Sequence, residues 1–156
     1  MRLTNFSNYA LRVLMYAAAK HPAPATVPEI AQAHGISYNH LKKAAASLCG
    51  AGYLDAVRGR RGGLRLARPA ETIVVGDVIR LTEGGLTLVE CFDPQTSTCP
   101  MSSGCQLQTA LHEALQAFLA VLDTYTLADL VDRSSALSQL VSGLGLEEIR
   151  QPMPAA

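Results

Sequence analysis

Cysteine thiols bind soft metals, form disulfides or do redox chemistry. This chain places three of its four cysteines in one stretch, CFDPQTSTCPMSSGC, from Cys91 to Cys105, with the spacing C-x7-C-x5-C. The stretch is polar and punctuated by Pro94, Pro100 and Gly104, so packing alone is a poor reason for thiols to gather there. An even set would suggest disulfides; three suggest a ligand set whose fourth member comes from elsewhere. Zinc, with His112 as fourth donor, is one occupant, and a disulfide under oxidation stays open. Structural zinc sites favour closer cysteine pairs, whereas thiolates on wider spacings suit an iron–sulfur cluster. The spacing therefore favours a cluster over zinc. Cys49, a lone cysteine near a helix end and adjacent to that helix's apolar stripe, reads as a small core residue.

The second chemistry is electrostatic. Residues 1–68 carry ten Lys/Arg and only two acids, Glu29 and Asp55, while residues 69–156 carry three Arg and eleven acids. A net charge of zero thus hides +8 against −8, and the basic half is the part expected to meet a polyanion. No paired carboxylates, nucleotide-binding loop or Ser/His/Asp grouping supports catalysis, so no enzyme is expected. An electron-transfer protein could use the cysteine loop but would leave the basic half unexplained.

The elements that must position these groups are legible from caps and periodicity. TNFSNYALRVLMYAAAK (residues 4–20) reads as a helix capped by Thr4, with Phe6, Ala10, Val13, Leu14 and Ala17 on one face. Thr26 with Glu29 forms a capping box, Pro28 suits a first turn and Gly35 a helix end. Ser37 can cap a second helix running to about Ala51, buried through Leu41, Ala45 and Leu48. Two short helices around a Gly turn are a helix-turn-helix pattern. Its second helix presents Ser37, Tyr38, Asn39, His40, Lys42 and Lys43 to base edges and phosphates of double-stranded DNA. His34, at a helix end, is read as structural.

YLDAVRGRRGGLRLAR (residues 53–68) reads as a β-hairpin, a wing whose tip carries Arg58, Arg60 and Arg61. Arg2 and Arg12 are further phosphate candidates. A short helix is expected around Asp77–Thr82. After Cys105, Leu111, Leu115, Phe118, Leu122 and Tyr125 follow the 4-3-4-3 seam of a packed helix pair; this helix has little of its own chain to bury against, which points to a homodimer. Thr126 caps a last short helix. The fold class is therefore mainly α with a small β-hairpin: a winged helix-turn-helix (1–70), a linker helix and cysteine loop (71–105), a dimerisation helix with a C-terminal segment (106–133) and a loosely ordered tail (134–156). The start reads as an amphipathic helix rather than a signal peptide, and no run reaches the ~18 apolar residues of a membrane span. A cytoplasmic protein without membrane contact is expected.

MRLTNFSNYALRVLMY, SYNHLKKAAASLCGAGYLDAVRGRRGGLRLARP, three loop cysteines and FLAVLDTYTLADLV together resemble the NsrR-like nitric-oxide-sensing repressors, a branch of the iron–sulfur winged-helix regulators, over about residues 1–133. The resemblance implies a homodimer with a crossed long helix. It implies a cluster, 4Fe-4S favoured and 2Fe-2S the alternative, on Cys91, Cys99 and Cys105. It also implies operator DNA released when nitric oxide nitrosylates the cluster. Sister regulators that sense iron–sulfur supply can use a His three residues after the last Cys; here that position is Gln108. Nitric-oxide sensors of this type often take their fourth ligand from an Asp in the partner subunit's first helix; here the matching residue is Asn8. A neutral amide there leaves the cluster less negative and one iron open. The fourth ligand is then Asn8 through its carbonyl, an acid such as Glu83, Glu90 or Asp93, or an exogenous water or thiol.

Overall fold

The computed structural model describes residues 2–143 except 61, 94, 96, 102, 103 and 133. Arg61 of the expected wing tip, and residues 144–156 of the expected tail, lie outside the described residues. The elements are α1 (Asn5–Ala19), α2 (Val27–His34), α3 (Tyr38–Gly50), β1 (Leu54–Val57), β2 (Gly63–Leu66), α4 (Val75–Glu83), α5 (Gln106–Asp123), α6 (Leu127–Asp132) and α7 (Ser135–Val141).

Local chemistry sets the first boundaries. The Thr4 hydroxyl accepts the Ser7 N–H at 3.2 Å and starts α1. Thr26 and Glu29 close their capping box, with Pro28 in the first turn, and Gly35 ends α2 at φ 62. Ser37 occupies the N-cap position of α3, but its hydroxyl makes no capping bond; its carbonyl accepts from His40 and Leu41 instead. The sequence expectation of a side-chain cap is corrected there.

α1 is the common wall. Ala10, Val13 and Leu14 are fully buried on it, and it touches α3, α4, α6, α7 and β2. Leu41, Ala44, Ala45 and Leu48 of α3 complete the main core with Ile30, Leu54 and Leu64. The hairpin pairs Leu54 with Leu66 and Val57 with Gly63. Its second strand also bridges backward, Leu64 N–H to the Ala25 carbonyl at 2.7 Å and Ala25 N–H to the Leu64 carbonyl at 2.8 Å. Helix-turn-helix and wing are thereby one unit, a winged helix.

A second apolar cluster joins Ile79 of α4 to Leu115 and Leu119 of α5, with Leu11 of α1 and Phe92 against it. Arg80 grips Asp123 with two bonds, 2.7 and 2.6 Å, across the same helix pair. The stripe Leu111, Leu115, Phe118 and Leu122 is thus the side of α5 that turns toward its own chain, with Leu115 buried and the other three half-buried. Tyr125 falls beyond the helix and is exposed. Where a loosely held tail is expected, Ser134 caps α7 through Leu137 N–H at 3.1 Å, and Leu137 is buried beside α1. No described helix is long and apolar enough to cross a membrane.

Gly76 leaves room for the Asp123 carboxylate that Arg80 holds: a Cβ there would collide with it. Gly76→Ala should displace the exposed Asp123 carboxylate from Arg80 and lower stability by no more than about 1 kcal/mol, since Ala favours the helix. The readout is a lower denaturation midpoint with an unchanged slope, and Asp123→Ala in the same chain should recover part of it.

Candidate nucleic-acid interface and cysteine loop

Burial of Leu41, Ala44, Ala45 and Leu48 turns the opposite side of α3 outward. Ser37, Tyr38, Asn39, His40, Lys42 and Lys43 are all exposed, so one face gathers two cations, an amide, a phenol and a free hydroxyl. His40 stacks on Tyr9 of α1, centroids 5.7 Å apart and planes 14° apart. Arg58 and Arg60 are exposed at the wing tip, where Gly59 takes φ 109, a conformation side chains resist. Arg2 is exposed. Arg12 is half-buried and donates to Asn8 Oδ1 at 3.1 Å. Burial, helped by the Arg12 charge, pushes His34 down to about 4, so that ring is neutral at physiological pH and fills space beside Tyr16. Cys49 packs on the main core, and burial followed by the Asp55 charge pushes its thiol up; it stands apart from the loop thiols.

Cys91 lies in a 3-10 turn, Glu90–Phe92, and Cys105 at the N-cap position of α5. Cys91, Cys99 and Cys105 are half-buried and free of disulfides. Gln108 donates from Nε2 to the Cys91 carbonyl at 2.8 Å. The Ser97 hydroxyl, inside the loop, is buried without a hydrogen-bond partner among the described residues. Among the described residues no three of His, Cys, Asp and Glu converge on a point one metal ion could occupy. His112, the expected zinc donor, instead meets the Phe92 ring edge to face at 5.8 Å. The donor set, three free thiols on one loop, is chemically suited to a soft metal centre. An open cavity of about 620 Å³ lies beside this loop, lined by Phe92, Gln108, His112 and Leu115 among others.

The candidate fourth ligands are differently placed. Asn8 is exposed, its carbonyl oxygen bonded to Arg12. Glu83 faces its own chain's α1: its Oε1 accepts the Thr4 N–H at 2.9 Å, the Thr4 hydroxyl at 3.1 Å and the Ser7 hydroxyl. Ser7 is fully buried, and the Thr82 hydroxyl lies 2.8 Å from both Ser7 Oγ and the Val78 carbonyl. Burial raises the Glu83 carboxyl, but these donors outweigh it and hold the carboxyl below its usual range. Glu90 is exposed and near the Thr98 hydroxyl at 3.5 Å, and Asp93 accepts the Gln95 N–H.

A second stripe on α5, Leu107, Ala110, Ala114, Ala117 and Val121, is exposed throughout; Leu107 is 66% and Val121 58% accessible. It lies beside the stripe singled out from sequence and repeats at the same helical spacing with smaller side chains, so periodicity could have revealed it. Ser7, Glu83 and Gln108 carried no local signal, because their partners are 76, 79 and 17 residues away.

Comparison with known proteins agrees with this geometry. The model of the Rrf2 family, described as an iron-dependent transcriptional regulator, matches residues 3–133. The HTH-type transcriptional regulator NsrR of Geobacillus kaustophilus is 50% identical over 143 residues, 90% of this chain and 97% of that one. Protein aau3 of Rhizobium meliloti is 44% identical over 156 residues, 100% of this chain and 99% of that one. The solved structure of CymR, the global cysteine regulator of B. subtilis, superposes with a TM-score of 0.69 at 27% identity, covering 86% of this chain and 99% of its own.

Two outcomes are expected. Glu83→Gln should lower stability by about 1–3 kcal/mol, because Thr4 and Ser7 donors lose a charged acceptor. The lowered carboxyl contributes stability above its unfolded value of about 4.3 and loses it as pH falls through the native value. The gap between wild type and variant in urea titrations should therefore close in acid. Lys42→Ala should lower the salt slope of DNA binding by about one; an unchanged slope and affinity would remove Lys42 from the interface.

Proposed function

The chain belongs to the Rrf2 family of transcriptional regulators, and from that premise we propose a repressor that binds operator DNA as a homodimer and releases it in response to nitric oxide. An iron–sulfur cluster on Cys91, Cys99 and Cys105 is the sensor, 4Fe-4S favoured over 2Fe-2S, in a cytoplasmic protein. The observation that carries this reading is the meeting, in one chain, of an outward polar and basic α3 face with a loop of three free, half-buried thiols.

The roles divide along the chain. Residues 1–70 read DNA, 71–105 hold the sensor, and 106–133 join two copies through the exposed stripe of α5. Tyr38, Asn39 and His40 meet base edges, with the uncapped Ser37 hydroxyl beside them. Lys42, Lys43, Arg2 and Arg12 meet phosphates, and Arg58, Arg60 and Arg61 follow the wing into the minor groove. When bound, the cluster supplies iron that nitric oxide can attack. The chain's own part is linkage: α4, which leads into the cysteine loop, holds the start of α1 through Glu83, and α1 holds α3 through the Tyr9–His40 stack. A change at the loop is thereby felt by both recognition helices, whose separation must match successive turns of the major groove. Asn8, exposed on α1, is the donor that a partner subunit would offer, through a carbonyl oxygen that also accepts from Arg12.

The deciding experiment is anaerobic absorption with iron and sulfide counts, then nitric-oxide titration of the DNA-bound protein. Broad visible absorption, equal iron and sulfide, and bleaching that parallels DNA release are expected. A colourless protein, or DNA affinity indifferent to nitric oxide, would overturn the reading.

A further inference from the structure

The three loop thiols are not held alike. Gln108 lies in the first turn of α5, three residues after Cys105 at that helix's N-cap position. Its amide reaches back to the Cys91 carbonyl at 2.8 Å in a partly buried contact. The residue after Cys91, Phe92, meets His112 further along α5 and joins the Ile79–Leu115–Leu119 cluster. One amide bond and one aromatic contact thus dock the Cys91 turn onto the helix that begins at Cys105. The Cys99 stretch differs. The described residues of 97–101 hold no helix or strand, and their described hydrogen bonds run back to residues 90 and 93 rather than to α5.

We infer that Gln108 is a positioning residue for the thiol set: it holds Cys91 and Cys105 in one frame and leaves Cys99 as the donor that adapts. The inference rests on the three-thiol site proposed above. Its physical basis is pre-organisation. Two donors already fixed to one helix lose little freedom when loaded, and outer hydrogen bonds of this kind orient ligands without touching the metal. The Gln108 carboxamide is engaged by a backbone carbonyl, so its contribution is to geometry and not to coordination. Neither Ala nor Glu at position 108 can reproduce the amide donor, and neither removes a thiol.

The test uses the full-length, metal-free chain in two backgrounds. Cys49→Ser with Cys99→Ser leaves Cys91 and Cys105; Cys49→Ser with Cys91→Ser leaves Cys99 and Cys105. A short bis-methanethiosulfonate bridges the remaining pair, and intramolecular product is scored by mass. Gln108→Ala should slow Cys91–Cys105 bridging about fivefold, the factor of one lost hydrogen bond, and leave Cys99–Cys105 bridging unchanged. In the otherwise native, cluster-loaded chain, Gln108→Ala and Gln108→Glu should both release iron to a chelator about fivefold faster. Bridging that ignores Gln108→Ala, equal slowing of both pairs, or unaltered iron release would each overturn the inference. If the native chain takes up no cluster while Cys91–Cys105 bridging still responds, the sensor reading fails and the two-thiol frame survives.

Discussion

The start of α1 is tied to α4 by a single carboxylate, which accepts one backbone N–H and two hydroxyls there. Glu83, at the last position of α4, takes the Thr4 N–H, the Thr4 hydroxyl and the Ser7 hydroxyl. Ser7 is fully buried, and its hydroxyl is satisfied there by Glu83, Thr82 and the Thr4 hydroxyl together. A negative group at a helix N-terminus is also where the helix field favours it. This contact fixes where α4 can end. It therefore fixes where the chain leaves for the cysteine loop, through Gly84 in the left-handed conformation.

α1 consequently serves two cores at once. Leu11 packs against the main core and against the Ile79–Leu115–Leu119 cluster. Its neighbours divide the work: Asn8 and Arg12 form a polar pair, and Tyr9 stacks on His40. A helix shared between two packed cores transmits displacement better than a flexible linker, since close-packed side chains have few alternative arrangements. The proposed linkage between sensor and reader needs no more than this.

Charge follows the same division. The basic half is the winged helix, and the acidic half holds α4, the cysteine loop and the C-terminal helices. Within the acidic half, Arg80 is paired with both Asp77 and Asp123, and acids still outnumber bases there by eight. In the proposed complex that net negative charge would repel a DNA backbone and favour approach with α3 and the wing forward.

Interactions closing within about four residues were legible in the sequence, because helix caps and apolar periodicity are local. Thr4, Thr26 with Glu29, Gly35 and the outward face of α3 belong to this class; the hairpin, which pairs Leu54 with Leu66, was legible through its glycine tip, and the thiol loop through its composition. Ser37 is the exception: it holds the cap position while its hydroxyl makes no capping bond. Tertiary structure alone decided which stripe of α5 turns inward, because two stripes of equal spacing lie side by side and the position of Ile79 chooses between them. It also decided that Glu83 serves α1, that Ser7 is buried, that residues 135–141 form a packed helix and that Gln108 holds Cys91. The reason is the same throughout: these contacts join residues far apart along the chain, and neither partner carries a mark of the other until the fold brings them together.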